Sequence, residues 1–214
     1  MKHFGYLVPG TGLDPAEERR RLSILQRLAP RLKLDILTVT KGPLTIESED
    51  DELNAIGPTV SLAKQRQREF DGFIIGCFAD IAIDELRHSL SIPVIGPARS
   101  VYTTAAIMYK SFSVVTIQEA LVKHEWQMAE TIGCKAQVDT VLPLNIGVKT
   151  VIEQPDEAIN RVNQIIPNIH TSAFFVGCMS YAFLLAEQGI TEIQGLKVLN
   201  PLETALGIAY ALSL

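Results

Sequence analysis

Two cysteine residues stand in the same kind of sequence context, 101 residues apart. The apolar run Phe73-Ile74-Ile75 leads into Gly76-Cys77, and Ala173-Phe174-Phe175-Val176 leads into Gly177-Cys178. An apolar run bounded by turn signals is typical of a strand that is buried on both faces. The sequence therefore predicts that each cysteine lies where a buried strand ends and a helix begins.

A pair of cysteines on opposite sides of a substrate can invert a carbon acid. One thiolate removes the proton, and a thiol on the other face returns a proton to the planar carbanion or enolate. No cofactor is needed, but the thiol must ionise readily and the developing oxyanion needs hydrogen-bond donors. A helix N-terminus supplies both, and glycine lets the backbone approach a ligand closely. Cys77 and Cys178, each predicted to open a helix, are the candidate acid/base pair.

Cysteine is also among the most buried residue types, so either residue alone could be core packing. Two cysteines at matching places favour the catalytic interpretation. Cys134 has no such counterpart and is predicted to be structural. No metal-binding spacing of Cys and His is present, and neither a metal site nor a cofactor is predicted. Free thiols favour a reducing compartment, so a cytoplasmic location is expected.

Predicted strands alternate with predicted helices along the whole chain. The predicted strands are 4–8, 34–39, 73–75, 93–95, 112–116, 138–142, 173–176 and 196–199. The predicted helices are 14–28, 58–70, 81–90, 101–109, 118–132, 155–166, 181–188 and 202–212. Such alternation is typical of parallel sheets with helices on both faces. The polar segment 40–57 is predicted to be a long loop, in which Glu47 and Ser48 could close over a ligand.

The two halves of the chain can be aligned, with FSVVTIQEA from 112 on FGYLVPGTG from 4 and AFFVGCMSYA on GFIIGCFADI. We therefore predict an α/β fold with two pseudo-symmetric, parallel-sheet, flavodoxin-like domains, residues 1–97 plus 199–214 and residues 98–198. The last strand and helix are expected to complete the first sheet. In open parallel sheets the ligand crevice lies beyond the carboxyl ends of the strands, so we expect both cysteines to face a cleft between the domains.

The composition is that of an ordinary globular protein: 214 residues, 47% hydrophobic and 20% charged, with a net charge of −5. An acidic chain without a basic patch argues against a nucleic-acid partner. No apolar stretch approaches the ~20 residues of a membrane span, and MKHFGYLVPG is a first strand rather than a signal peptide. We expect a small-molecule substrate, no nucleic acid and no membrane partner, and a homo-oligomer is compatible with the sequence.

Several short motifs occur in a specific order along nearly the full length. They are Pro9-Gly10-Thr11, GPLTIESEDDE (42–52), GCFAD (76–80), IPVIG (92–96), FSVVT (112–116) and VGCM (176–179). Together they resemble the aspartate/glutamate/hydantoin racemase superfamily, and most closely its hydantoin racemase branch. The resemblance implies two similar α/β domains and cofactor-independent racemisation by Cys77 and Cys178.

We predict a set of substrate-binding residues beside the two cysteines, of which Ser48 is named for its place in the long loop, Asp80 for its place after Cys77, and the others for the resemblance. The set is Pro9, Gly10, Thr11, Ser48, Phe78, Asp80, Thr116, Ile117 and Met179. At Phe78 and Met179 the backbone is expected to bind polar atoms of the substrate. Asp80 is expected either to orient a donor near Cys77 or to cap a helix.

The chain departs from the branch at three places. The branch usually has Asn in the turn formed here by Pro9-Gly10-Thr11, and Gly-Asp-Pro where this chain has Ala79-Asp80-Ile81. It usually has Glu-Ala where this chain has Ala98-Arg99. One hypothesis is that Arg99 pairs with a substrate carboxylate; the alternative is a surface or structural ion pair.

The favoured function is racemisation or epimerisation of a small carbon acid, either a hydantoin or an amino-acid derivative. A second interpretation is a related lyase or cis-trans isomerase, in which one cysteine attacks or protonates the substrate. A third is a non-enzymatic small-molecule sensor or dithiol switch on the same scaffold.

Overall fold

The computed structural model describes residues 1–212, which fold as two units of α/β structure. The first unit comprises Met1–Pro97 together with the C-terminal segment from Ala205, and the second comprises Ala98–Thr204. Each unit has its own sheet and its own apolar core.

The first unit is built on a four-stranded parallel sheet. Its strands are β1 (His3–Val8), β2 (Lys33–Thr38), β3 (Gly72–Ile75) and β4 (Val94–Ile95), in the order β2-β1-β3-β4. Its helices are α1 (Pro15–Leu28), α2 (Glu49–Arg66) and α3 (Ile83–Ser89). All four residues of β3 are buried, as expected of an apolar strand covered on both faces. Helix α4 (Pro97–Met108) leads the chain into the second unit.

The second unit is built on a five-stranded sheet. Its strands are β5 (Phe112–Thr116), β6 (Val138–Pro143), β7 (Ala173–Val176), β8 (Glu192–Ile193) and β9 (Leu196–Leu199), in the order β6-β5-β7-β9-β8. Only the short edge strand β8 is antiparallel. The helices are α5 (Val122–Ile132), α6 (Val148–Glu153), α7 (Pro155–Ile165), α8 (Met179–Gln188) and α9 (Pro201–Ala211).

The two sheets share one strand order. When the strands are numbered within each unit, the parallel strands have the order 2-1-3-4. Strand 2 is added on one side of strand 1 and strands 3 and 4 on the other, so the strand order reverses between strands 1 and 3. Such a switch point is where open α/β sheets bind ligands. Strands β3 and β7 are therefore equivalent, and so are the Gly-Cys steps that follow them. The predicted α/β fold with parallel sheets is confirmed.

The last strand does not complete the first sheet, so this expectation was wrong. Strand β9 pairs in parallel with β7, with Val198 opposite Phe174, and Val198 is buried in the core of the second unit. The internal repeat explains this arrangement, because residues 196–199 correspond to β4, the fourth strand of its own sheet. Helix α9 begins in the second unit and belongs to the first unit from Ala205 onward, where the Arg31 guanidinium lies 5.9 Å from the centre of the Tyr210 ring.

The predicted loop over 40–57 was wrong in its second half, because α2 begins at Glu49 rather than at Pro58. The backbone N–H of Asp51 donates to Ser48 Oγ at 3.2 Å, which caps the helix. The acidic first turn of α2 suits the positive end of the helix dipole. Ser48 followed by Asp51 is a capping pattern that the sequence already contained.

Replacing Ser48 with alanine removes this cap. We expect Ser48→Ala to lower the free energy of unfolding by about 1 kcal/mol, because the N–H of Asp51 loses its acceptor. Urea titration followed by far-UV circular dichroism measures the change. Ser48→Thr keeps the hydroxyl and should retain most of the stability. An alanine variant as stable as the parent chain would contradict the capping role.

Candidate active site

In the first unit, the turn after β1 is fastened to the loop after β2. Thr11 donates to the Pro43 carbonyl oxygen from its backbone nitrogen at 2.8 Å and from its hydroxyl at 3.1 Å. The N–H of Gly12 donates to the Leu44 carbonyl oxygen at 3.0 Å, and a Cβ on Gly10 would lie 2.8 Å from the same oxygen. This close backbone approach requires glycine at position 10. The polar groups of Thr11 therefore contribute to the loop itself, and a substrate contact of the 9–11 turn stays a prediction.

The cysteine of the first unit lies in a tight turn. The N–H of Gly76 donates to the Leu7 carbonyl oxygen at 2.5 Å, and the N–H of Asp80 donates to the Cys77 carbonyl oxygen at 3.2 Å. Cys77 is half-buried, whereas Phe78 and Asp80 are buried. Phe78 and Asp80 thus lie in the same turn as Cys77, where the sequence predicted them.

Gly76-Cys77 does not open a helix, so this expectation was wrong. Asp80 and Ala82 have φ angles of +51° and +59°, in the left-handed region that interrupts a right-handed helix. Helix α3 consequently begins only at Ile83, six residues beyond Cys77. Cys77 is therefore not at the N-terminus of the helix that follows it.

Gly177-Cys178 does open a helix, which confirms the prediction for the second cysteine. The N–H of Gly177 donates to the Val115 carbonyl oxygen at 2.7 Å, and Cys178 is the N-cap of α8. Met179 is the first residue of this ten-residue helix. The first N–H groups of a helix have no intrahelical acceptor, so α8 offers backbone donors beside Cys178. Cys178 is 5% exposed.

Helix α8 is held in place by buried polar side chains. The Tyr181 hydroxyl donates to the Ala158 carbonyl oxygen at 2.9 Å, and Asn200 Nδ2 donates to the Ala182 carbonyl oxygen at 2.9 Å. Burial raises the pKa of the Tyr181 phenol, and the charge of a Cys178 thiolate raises it further. Tyr181 therefore stays protonated and acts as a neutral donor. Our sequence reasoning missed Asn200, although an Asn before a helix-starting proline is a capping signal.

Thr116 and Ile117 lie at the carboxyl end of β5, next to the strand that carries Cys178. Their carbonyl oxygens accept from the N–H groups of Leu144 and Ile146, at 2.8 and 2.9 Å. Thr116 is completely buried, and within residues 1–212 its Oγ1 atom has no hydrogen-bond partner. A buried hydroxyl without a partner costs about 1–3 kcal/mol, so an atom of this kind at a strand end is a candidate ligand contact.

Two further predicted positions, Ser48 and Arg99, lie at the starts of helices, and one position that was not predicted, Thr38, lies at the end of a strand. Ser48 caps α2 and donates its hydroxyl proton to Asp51 Oδ2 at 2.7 Å. Arg99 is half-buried in the first turn of α4. Thr38 at the end of β2 was missed: its Oγ1 atom is buried and unpartnered in the described part of the chain. Thr38 follows Leu37 at the end of a predicted strand, the same signal that Thr116 gives after Val115.

Cys134 is separate from these positions, in the segment between α5 and β6. It is 4% exposed, and burial raises the pKa of its thiol. A raised pKa leaves less of the thiolate form at neutral pH, so Cys134 is not a candidate for the acid/base pair. In the chain up to residue 212, no group of three or more His, Cys, Asp or Glu side chains could hold a metal ion. None of the helices described is long and apolar enough to cross a bilayer.

A sequence model of the Asp/Glu/hydantoin racemase family matches residues 19–203, so the chain belongs to this family. The resemblance drawn from the motifs is thereby confirmed, and so is the prediction of an enzyme of the racemase type, an isomerase.

Two curated relatives are both hydantoin racemases. The one from Paenarthrobacter aurescens is 22% identical over 185 residues, which cover 84% of this chain and 78% of the relative. The one from Pseudomonas sp. (strain NS671) is 26% identical over 163 residues, which cover 72% of this chain and 66% of the relative.

Solved structures show the same fold. The allantoin racemase from Klebsiella pneumoniae has a TM-score of 0.89 at 20% identity, covering 100% of this chain and 88% of that chain. A glutamate racemase from Francisella tularensis subsp. tularensis SCHU S4 has a TM-score of 0.69 at 17% identity, covering 99% and 80%. At these identities the likeness shows the two-domain racemase fold.

Thr116→Val replaces the unpartnered hydroxyl by a methyl group of the same size. We expect an unchanged or slightly higher free energy of unfolding, because no internal hydrogen bond is lost. If the hydroxyl binds substrate, kcat/KM should fall at least about tenfold. Steady-state kinetics on a racemised substrate and urea titration measure the two effects.

Ser113→Ala on the same strand is the matched control. The Ser113 and Thr171 hydroxyl oxygens lie 2.8 Å apart in a buried hydrogen bond. The control variant should lose about 1 kcal/mol of stability and keep its kinetic constants. A Thr116→Val variant with unchanged kcat/KM would remove Thr116 from the substrate site.

Proposed function

We propose that the chain is a cofactor-independent racemase or epimerase of a small carbon acid, in which Cys77 and Cys178 alternate as base and acid. One observation carries this proposal: the equivalent strands β3 and β7 of two sheets with one strand order each end in a Gly-Cys step. A single structural cysteine needs no counterpart, whereas a two-base reaction needs one group on each face of the substrate. That both thiols reach the same substrate is part of the proposal.

In one direction, the Cys178 thiolate removes the hydrogen of the acidic carbon. The electron pair of the C–H bond moves into the adjacent carbonyl group, and an enolate oxygen carries the charge. The Cys77 thiol then donates its proton to the opposite face of the carbon. The substrate leaves inverted, with Cys178 protonated and Cys77 ionised, and the same two steps in reverse convert the other enantiomer.

The second unit supplies groups that suit the charged intermediate. Backbone donors at the start of α8, beginning with Met179, stabilise a developing oxyanion beside Cys178. The partial positive charge of the same helix end favours the thiolate form of Cys178. The Thr116 hydroxyl offers a donor and an acceptor to a polar atom of the substrate.

The substrate class is proposed as hydantoins and related amino-acid derivatives. The support comes from the hydantoin racemases and the allantoin racemase to which the chain is similar. In such rings the acidic hydrogen lies next to a carbonyl group, which is what an enolate mechanism requires. The pairing of Arg99 with a substrate carboxylate, a cytoplasmic location and a homo-oligomer stay predictions.

Single replacements of the two cysteines test the mechanism. We expect Cys77→Ser and Cys178→Ser each to reduce racemisation on the order of 10²–10⁴-fold, because a serine hydroxyl is a far weaker acid than a thiol. Polarimetry with enantiopure 5-substituted hydantoins, allantoin and amino acids measures the loss, and circular dichroism confirms that the fold survives.

Cys134→Ser is the matched control, since Cys134 has no equivalent in the other unit, and it should keep full activity. Full turnover by either the Cys77 or the Cys178 variant would overturn the two-cysteine mechanism. A parent chain that racemises amino acids but no hydantoin or allantoin would overturn the preferred ring substrates.

A further inference from the structure

Asp80 is a buried acid in the cysteine segment of the first unit. Asp80 is only 3% exposed, and aspartate is rarely buried to this degree. Burial of a carboxylate is unfavourable unless its oxygen atoms are paired with other groups of the protein. The predicted capping role does not explain the Asp80 carboxylate, because the N-cap residue of α3 is Ala82 rather than Asp80.

The backbone of Asp80 joins the cysteine turn to the next helix. Its N–H donates to the Cys77 carbonyl oxygen at 3.2 Å, and its own carbonyl oxygen accepts from the N–H of Ile83, the first residue of α3, at 3.0 Å. Its φ angle of +51° is one that Asp and Asn tolerate better than most residues. Asp80 thus sets both the closure of the turn after Cys77 and the start of α3.

The side chain of Asp80 fills the space that a side chain at position 96 would need. A Cβ built on Gly96 would lie within 2.5 Å of the carboxylate carbon and of both carboxylate oxygens of Asp80. Gly96 follows β4, which pairs with β3 with Ile74 opposite Ile95, and it directly precedes Pro97, where α4 begins. The carboxylate is therefore seated against the end of the neighbouring strand.

We propose that Asp80 is a positioning residue for Cys77. Its carboxylate packs against Gly96 and holds the Cys77 turn beside the end of β4, a contact that we call the lock. The lock fixes the Cys77 thiol at the carboxyl edge of the first sheet. Cys77 needs such a lock because, unlike Cys178, it does not cap a helix that would hold its backbone. The inference depends on the proposed function only for the purpose of holding the thiol in place, which is proton transfer to and from the substrate.

The second unit contains a comparable contact, but there the side chain comes from the strand end and reaches to the cysteine segment. Asn200 follows β9 and precedes Pro201, as Gly96 follows β4 and precedes Pro97. Its side chain reaches from this step to the Ala182 carbonyl oxygen in α8, the helix that Cys178 caps. In each unit, one side chain ties the cysteine segment to the strand end beside it.

Alkylation of the native chain by iodoacetamide tests the lock without any substrate. Peptide-resolved mass spectrometry reports the rates of Cys77, Cys178 and Cys134 separately. Loss of the Asp80 carboxylate frees the turn, so Asp80→Ala should raise the alkylation rate of Cys77 at least about threefold and leave Cys178 unchanged. Asp80→Asn, which keeps the size of the side chain, should have a smaller effect in the same direction.

Asp84→Asn is the matched control, because Asp84 is an exposed acid on α3, four residues further along the chain. It should leave all three alkylation rates unchanged. If Asp80→Ala does not fold, Asp80→Asn provides the same comparison. A folded Asp80 variant in which the Cys77 rate is unaltered, or in which Cys77 and Cys178 accelerate equally, would overturn the positioning role.

Gly96→Ala tests the seat of the carboxylate by a second route. The added methyl group displaces Asp80, so kcat should fall while KM stays close to that of the parent, because the thiol rather than the binding groups is disturbed. In the Asp80→Ala background the same methyl group meets none of the carboxylate atoms, and it should cause little further loss. Additive effects of the two replacements would contradict a shared site.

The two readouts separate this inference from the proposed function. A chain that racemises no tested substrate, but in which Asp80→Ala accelerates only Cys77 alkylation, would overturn the function and leave the lock standing. If the chain is an active racemase but the alkylation rate of Cys77 does not change in the Asp80 variants, the lock is overturned and the proposed function stands.

Discussion

One backbone hydrogen bond fixes the start of each cysteine segment. The N–H of Gly76 reaches the Leu7 carbonyl oxygen in β1, and the N–H of Gly177 reaches the Val115 carbonyl oxygen in β5, at 2.5 and 2.7 Å. Leu7 and Val115 are each the last residue but one of their strand. Both cysteines therefore leave equivalent sheets at the same step, and every chemical role proposed for them depends on this equivalence.

Beyond that step the two units diverge. Cys178 continues directly into a ten-residue helix, which brings backbone donors and a favourable dipole to its thiol. Cys77 enters a turn that two left-handed residues keep from becoming a helix, and the first unit holds this turn with a buried carboxylate. A duplicated scaffold thus supports two thiols in unlike surroundings, which suits a reaction in which one thiol is ionised while the other is protonated.

Much of this could be predicted from the sequence. Buried strands such as β3 and β7 are continuous apolar runs, and the internal repeat identified the equivalence of Cys77 and Cys178. Two expectations failed although the sequence contained the signal that decides them. Residues 49–57 are polar and include a glycine, yet the Ser48 cap and the rest of α2 keep them helical. The repeat itself, read strand by strand, would have assigned β9 to the second sheet.

Other features could not have been read from the sequence. The left-handed conformations of Asp80 and Ala82 depend on what surrounds them, since neither residue demands a positive φ. Packing between segments distant in sequence leaves the Thr116 hydroxyl without a partner in the described part of the chain, and it brings Asp80 against Gly96. Sequence motifs named Thr116 and Asp80, whereas the structure supplies the physical observations behind the roles that we propose for them.

The central claim is that two thiols act on opposite faces of one carbon atom, and hydrogen exchange in deuterated water tests it most directly. An enantiopure hydantoin is incubated with the parent chain, and its acidic hydrogen and optical purity are followed at low conversion by proton NMR and chiral chromatography. A sample without protein corrects for spontaneous exchange. With one thiol on each face, the inverted product should carry deuterium while the remaining substrate keeps its hydrogen. Deuterium entering remaining substrate and product at equal rates would indicate a single base and contradict the central claim.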